Sequence, residues 1–371
     1  MKIVFIGGRD IHNLGGIENY MYNLATQIVR MGHEPIVFCE SDCNREEVVN
    51  GFRVIYHKGF KSNLLCKPWC GLKATLRTVL RIKGVDAIHY NAWPPAMSSP
   101  IARLFGIPSL MQGHGHGWQR TKYSGFQQKL MKMMEYVAVK ITPHLIMCSE
   151  AQTQYFKEHH GLYAVTIPTA INLPEVSAKN DSEILGRFGL EKGKYFLYLA
   201  RLVQDKNPDY LIRAFNEAKC VGYKLVIAGN NPAAPDYVEM LHSLGKDNPN
   251  VVFTDAVFGK DKEQLLRNAF SFCIPSTIEG LSISLLEAMS YRLPVVASDI
   301  PANREVLDDD KAFWCKAEDV DTLRNALEQA VSAAGNMSEM TEYNFCKVRD
   351  SYTWEKVAEK YVEYLKTIKT S

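Results

Sequence analysis

Short apolar runs rich in Val, Ile, Phe and Tyr alternate along the chain with longer stretches in which apolar residues recur every three or four positions. The short runs predict strands at residues 3–6, 34–39, 87–90, 109–112 and 145–148, and again at 195–200, 224–228, 251–254, 272–274 and 294–298. The longer stretches predict helices at 17–31, 73–83, 127–140, 209–219 and 261–269. Strands that are apolar on both faces, each followed by a helix, form parallel sheets covered on both sides. Two such series predict an α/β chain of two doubly wound, Rossmann-like domains, 1–170 and 183–352, joined through a Pro-, Asn- and Ser-bearing segment at 167–182. The closing stretch Y-T-W-E-K-V-A-E-K-Y-V-E-Y-L-K-T-I sets Trp354, Val357, Ala358, Tyr361 and Leu365 at helical spacing. One face of a last helix, within 353–371, therefore needs a core to pack on. In open α/β sheets ligands bind beyond the carboxyl ends of the strands, which predicts a site in the cleft between the two domains.

Composition narrows the class. At 371 residues, 46% hydrophobic and 23% charged, the chain is long enough for two cores and is neither disordered nor membrane-embedded. The formal charge of +2 hides an asymmetry: residues 51–150 hold 14 Lys and Arg against 3 Asp and Glu, whereas residues 184–371 hold 23 against 27. A basic first half is either a solvated face or the footprint of an anionic partner. No recognition motif accompanies it, so nucleic acid is not expected as that partner. The nine cysteines include two C-x3-C pairs, Cys39/Cys43 and Cys66/Cys70, without a His cluster or zinc-site spacing, and they are expected to be free thiols in a cytosolic protein. The opening M-K-I-V-F-I-G-G loses its apolar character after Ile6, too soon for a signal peptide, and no run approaches the roughly 18 apolar residues of a membrane span.

Three stretches carry candidate chemistry. The loop G-G-R-D-I-H-N-L-G-G-I-E-N lacks the G-x-G-x-x-G fingerprint but sets Gly15 and Gly16 at the mouth of a helix. It is either a plain tight turn or an anion cradle of backbone N–H groups. In A-R-L-V-Q-D-K-N-P-D-Y-L, Arg201 and Lys206 follow a strand and precede a helix. They are placed to grip a diphosphate, or else form an exposed basic loop with a salt bridge to Asp205. In P-S-T-I-E-G-L-S-I-S-L-L-E-A-M-S, Glu279 lies before a helix starting near Ser282 and Glu287 lies near its second turn. Eight residues of continuous helix would separate the two carboxylates by about 12 Å. Paired glycosidase carboxylates stand only about 5 to 10 Å apart, so an acid/base dyad is excluded. Two carboxylates flanking a helix N-terminus suit a ligand with an anion in the middle and hydroxyls at both ends, the layout of a nucleotide sugar.

The order G-G-x-E, A-R-L-V-x-x-K and P-S-x-x-E-G-x-S-I-S-L-L-E-A-M-S resembles family 4 glycosyltransferases of the GT-B fold, over nearly the whole chain. The stretch H-G-H-G-W-Q-R-T-K-Y is similar to a segment of bacterial polysaccharide rhamnosyltransferases and their relatives, departing from it at Gly117 and Tyr123. The resemblance implies that Glu279 holds hydroxyls of the donor sugar and Glu287 the ribose. It implies that Arg201 and Lys206 bind the diphosphate, helped by backbone N–H groups at Gly16, Leu281 and Ser282. It implies that His114 lies beside the donor sugar, that the anomeric configuration is retained, and that the final helix crosses back to the first domain. The acidic run Asp308–Asp310 reads as a solvated turn rather than as the isolated D-x-D loop usual in metal-dependent sugar transfer. No metal or other cofactor is therefore expected.

These readings converge on an expectation: a cytoplasmic, metal-independent glycosyltransferase using a nucleotide-diphosphate sugar. Its acceptor is expected to be a saccharide, free or polyprenyl-diphosphate-linked, of capsule, exopolysaccharide or O-antigen. The mixture of cations, aromatics and methionines from Trp118 to Tyr136 makes an anionic membrane surface a candidate partner, although its Met spacing also fits a buried helix face. Competing readings are a nucleotide-sugar epimerase on the same architecture and a non-catalytic sugar-nucleotide sensor.

Overall fold

The computed structural model describes residues 1–12, 15–60, 66–113, 125–175 and 183–369. The chain divides into two compact units, Met1–Ala170 with Trp354–Ser371, and Ile171–Thr353.

The first unit is built on strands β1 (Lys2–Gly8), β2 (Glu34–Ser41), β3 (Arg45–Val49), β4 (Phe52–Lys58), β5 (Ala87–Asn91), β6 (Ser109–Gly113), β7 (His144–Met147) and β8 (Val165–Thr166). They form one sheet in the order β3-β4-β2-β1-β5-β6-β7-β8, parallel except for the β3–β4 hairpin. Its helices are α1 (Gly16–Arg30), α2 (Cys66–Arg81), α3 (Trp93–Ala96), α4 (Ser99–Leu104), α5 (Gly125–Ile141) and α6 (Glu150–His160). The hairpin was not among the expected strands. Its turn is Asn50-Gly51, both left-handed at φ 47° and 85°, the two-residue turn that matches strand twist. Its first strand, R-E-E-V-V, is mostly exposed and charged, so it carries little apolar signal.

The second unit contains β9 (Tyr195–Leu199), β10 (Lys224–Ala228), β11 (Val251–Phe253), β12 (Ser271–Ile274), β13 (Val295–Ser298) and β14 (Phe313–Cys315), all parallel, in the order β11-β10-β9-β12-β13-β14. Its helices are α7 (Glu183–Arg187), α8 (Pro208–Glu217), α9 (Pro235–Gly245), α10 (Gly259–Asn268), α11 (Ile283–Ser290), α12 (Pro301–Val306), α13 (Val320–Ser332) and α14 (Ser338–Ser351). A one-turn 3₁₀ segment, Gln204–Lys206, precedes α8.

Each sheet is buried on both faces, as its continuous apolar strands require. In the first unit Phe5, Val37 and Val54 pack on one side while Val4, Phe38 and Ile55 pack on the other. The last helix, α15 (Trp354–Lys369), belongs to the first of these clusters. Trp354, Val357, Ala358, Tyr361 and Leu365 are all buried there, and the Tyr361 hydroxyl lies 2.9 Å from Nδ1 of His89. The face that the sequence left in need of a core is thus covered by the first unit, although the chain reaches it only after completing the second. At the start of the second unit the Ile171 N–H donates to the carbonyl of Tyr352 at 2.9 Å, so the entering and leaving strands of chain run side by side. No helix among the described residues is long and apolar enough to cross a membrane.

Candidate functional site

In the second unit the sheet grows from β9 toward β10 and β11 on one side, and from β12 toward β13 and β14 on the other. The loops leaving β9 and β12 therefore part in opposite directions, opening a crevice beyond their carboxyl ends where ligands of such sheets bind. Arg201 and Lys206 lie on the first of these loops, Glu279 on the second.

The structure joins the two loops. Asn207, left-handed at φ 51° and buried, donates through Nδ2 to the Pro275 carbonyl and to Thr277 Oγ1, both at 2.9 Å. The Thr277 N–H returns a bond to the Asp205 carbonyl at 2.9 Å. Across this stitched pair Lys206 forms a short ion pair with Glu279, whose Oε1 also accepts from the Ser276 hydroxyl at 2.8 Å. The Glu279 side chain is only 7% exposed, and burying a carboxylate that deep is costly without such partners. Lys206 thus pairs with Glu279 rather than with Asp205. Arg201 is exposed and its side chain forms no ion pair among the described residues. Beneath the loops burial, reinforced by neighbouring Tyr237 and Glu279, pushes the Tyr198 phenol far up, so it stays neutral.

Beyond Glu279 the chain turns into α11. Ser282 is its N-cap, with Oγ accepting from the Leu285 N–H at 3.4 Å and standing 3.2 Å from Ser284 Oγ. Leu281 precedes the cap and packs against the apolar cluster beneath. Glu287, in the second turn of α11, is held by Lys262 Nζ at 2.6 Å from the first turn of α10. The two glutamates are therefore each neutralised by a lysine from a different element, and the helix N-terminus lies between them in the chain.

In the first unit the mouth of α1 is organised differently. Glu18, three residues past the N-cap Gly15, is buried and accepts the Arg9 N–H at 2.8 Å. A Cβ on Gly15 would lie 2.0 Å from its carboxylate oxygen, whereas one on Gly16 would meet nothing within 4 Å. A Cβ at Gly15 would thus displace the Glu18 carboxylate, while Gly16 borders open space. His114 lies outside the described residues, as do Gly117 and Tyr123.

Lys262 and Asn207 were not singled out by the sequence, and Glu18 entered it only as the acid of G-G-x-E. Only Glu18 had a local signal, the acid at the third helical position after Gly15. Lys262 meets Glu287 from 25 residues away and carries no motif. Asp308–Asp310 is the solvated turn expected of it, with Asp309 and Asp310 exposed, and surface ion pairs tether it. Asp308 pairs with Lys347 at 2.7 Å, Asp309 with Arg304, and Asp310 with Lys311 at 2.8 Å. The Lys347 and Tyr343 contacts hold the Asp308 carboxyl below its ordinary range.

Two family models match the chain: Glycosyltransferase Family 4 over residues 14–175 and Glycosyl transferases group 1 over residues 181–345. An uncharacterized glycosyltransferase of Methanocaldococcus jannaschii is 22% identical, over 95% of this chain and 94% of that protein. The UDP-Gal:alpha-D-GlcNAc-diphosphoundecaprenol alpha-1,3-galactosyltransferase of Escherichia coli is 27% identical, over 68% of each chain. Among solved structures, sucrose-phosphate synthase of Thermosynechococcus elongatus superposes with a TM-score of 0.83 at 18% identity, over 100% of both chains.

Proposed function

Because this chain belongs to the family 4 glycosyltransferases and has the GT-B fold, we propose that it moves a sugar from a nucleotide-diphosphate donor to a saccharide acceptor with retention of configuration and without a divalent metal. The observation that carries this reading is the meeting of Lys206 and Glu279 across the switch point of the second unit, beside the N-terminus of α11. Arg201 and Lys206 take the diphosphate, Arg201 as a fork and Lys206 as a point charge. Amide groups at Leu281 and Ser282 add the partial positive charge of a helix start.

Donor binding then exchanges partners. The phosphate draws Lys206 away from Glu279, and hydroxyls of the donor sugar replace the ammonium as hydrogen-bond donors to that carboxylate. Glu287 accepts from the ribose hydroxyls. In the transfer step the bond from the anomeric carbon to the leaving diphosphate oxygen breaks. The acceptor oxygen bonds to the same face of that carbon, and its proton passes to the departing phosphate. Arg201 and Lys206 stabilise the negative charge that grows on the leaving group, the work a magnesium ion does elsewhere. His114 and Gly16 keep the roles that the family resemblance implies, beside the donor sugar and at the donor phosphate.

The acceptor reading is a saccharide linked to a polyprenyl diphosphate, in capsule, exopolysaccharide or O-antigen assembly. It is supported by the basic composition of residues 51–150 and by the exposed face of α5, which carries Lys129, Lys132, Met133, Tyr136, Val137 and Lys140. Cations flanking apolar side chains suit the surface of an anionic bilayer.

The test is incubation with a panel of nucleotide sugars, a polyprenyl-diphosphate saccharide and anionic vesicles, following the released nucleotide and the anomer formed. The expected result is transfer with retained configuration. Free 2-epimerised sugar would make the protein an epimerase, tight binding without turnover a sensor, and inverted product would reject the front-face route.

A further inference from the structure

We propose that Glu40, Cys66 and Cys70 in the first unit form a binding site for a borderline divalent metal ion of the zinc type. Cys66 and Cys70 stand four residues apart in the first turns of α2, so their thiols share one helix face. Glu40 reaches them from near the end of β2. One carboxylate oxygen and the two sulfurs all lie within 4.8 Å of one another, and the Cys66 thiol donates to Glu40 Oε2 at 3.1 Å. A tetrahedral zinc with bonds of about 2.3 Å to sulfur needs ligand atoms about 3.7 Å apart. A small contraction reaches that geometry.

The surroundings are arranged for an ion. The second oxygen of Glu40, Oε1, accepts from Arg9 Nε at 3.2 Å, which orients the carboxylate with Oε2 toward the sulfurs. Both cysteines are 8% exposed. A cavity of about 10 Å³, room for one water-sized body, adjoins the cluster and is lined by Glu40, Cys70, His57 and Lys67 among others. His57 is itself 8% exposed, and its Nδ1 has no hydrogen-bond partner among the described residues. A water in that cavity completes four ligands. Two thiolates and a carboxylate outweigh a divalent ion by one negative charge, which Arg9 and Lys67 offset. Binding releases two thiol protons to solvent, one from each cysteine.

These cysteines carry no zinc signature because the third ligand stands 26 residues before Cys66, on another element. Binding here would tie the start of α2 to β2. It is independent of the transfer chemistry, whose proposed lysines and glutamates all lie in the second unit.

Cobalt(II) titration of the thiol-reduced, chelator-stripped full chain tests the site. Expected is a thiolate-to-cobalt charge-transfer absorption that saturates at one equivalent, disappears on adding zinc, and is lost in Cys66→Ser/Cys70→Ser. Glu40→Gln, which leaves both thiols and the side-chain shape in place, should weaken cobalt binding about 10- to 100-fold. Cys43→Ser should bind as the parent does. Absence of the band in the parent chain, or a band of unchanged strength in the double serine and Glu40→Gln variants, would overturn the assignment.

Discussion

The helix mouths of the two units solve the same electrostatic problem in opposite ways. In the first, the free N–H groups near α1 face a carboxylate from the chain itself: Glu18 is buried beside Gly15 and bonded to the Arg9 amide. In the second, α11 is capped by a neutral hydroxyl, Ser282, and the charged groups around it are lysines paired with glutamates. A mouth already holding its own buried anion repels a second one. A mouth ringed by paired cations accepts an anion by exchanging partners. Under the proposed function the main grip on the diphosphate belongs to the second unit, and the first unit adds at most the Gly16 amide.

The largest effect that sharpens this contrast is expected for Lys206→Ala, which should lower transfer by about 10²–10³. The same change leaves Glu279 buried without its cation, so stability should also fall. Adding Glu279→Gln removes the uncompensated charge. Thermal unfolding of the double variant should recover toward the parent while turnover stays low, separating the clamp from the structural pair. Recovery of turnover along with stability would break the assignment.

Next comes Glu287→Gln. Loss of hydrogen bonds to a charged group, about 1.5–3 kcal/mol, should raise the donor KM about 10- to 100-fold with little change in acceptor KM. Lys262→Ala removes only a half-exposed partner of the same carboxylate and should change donor KM by no more than about fivefold. Steady-state kinetics on both variants orders the two.

The smallest effects belong to the first mouth and are read by unfolding. Gly15→Ala pushes a Cβ onto the Glu18 carboxylate and should cost about 1–2 kcal/mol through its bond to Arg9. Gly16→Ala, with open space around it, should stay within about 0.5 kcal/mol of the parent. Equal losses at both positions would erase the contrast between Gly15 and Gly16.

Much of the fold is legible in the sequence. Buried parallel strands are apolar along their whole length, so β1, β2, β5, β9, β10 and β12 announced themselves, and with them both doubly wound units. The α15 stripe showed that Trp354 and Tyr361 required a core, and the fold supplies one. What stayed hidden has a physical cause in each case. In the β3–β4 hairpin only β3 is exposed and charged and lacks an apolar signal; β4, buried at Phe52, Val54, Ile55 and Tyr56, was legible beside the Asn50-Gly51 turn. The Lys206–Glu279 contact joins residues 73 apart through the strand order, which no linear motif records. Lys262 and Glu40 act on partners from other elements for the same reason.

The central proposition is that side-chain cations and amides of the second unit, without magnesium, hold the donor diphosphate. Calorimetric binding of free nucleoside diphosphates to the parent chain and to Arg201→Ala/Lys206→Ala, each with and without magnesium, tests it most directly. The predicted result is an affinity in the parent that magnesium leaves unchanged and that the double variant loses by at least about 10²-fold. Binding that requires magnesium, or that survives in the double variant, would contradict it.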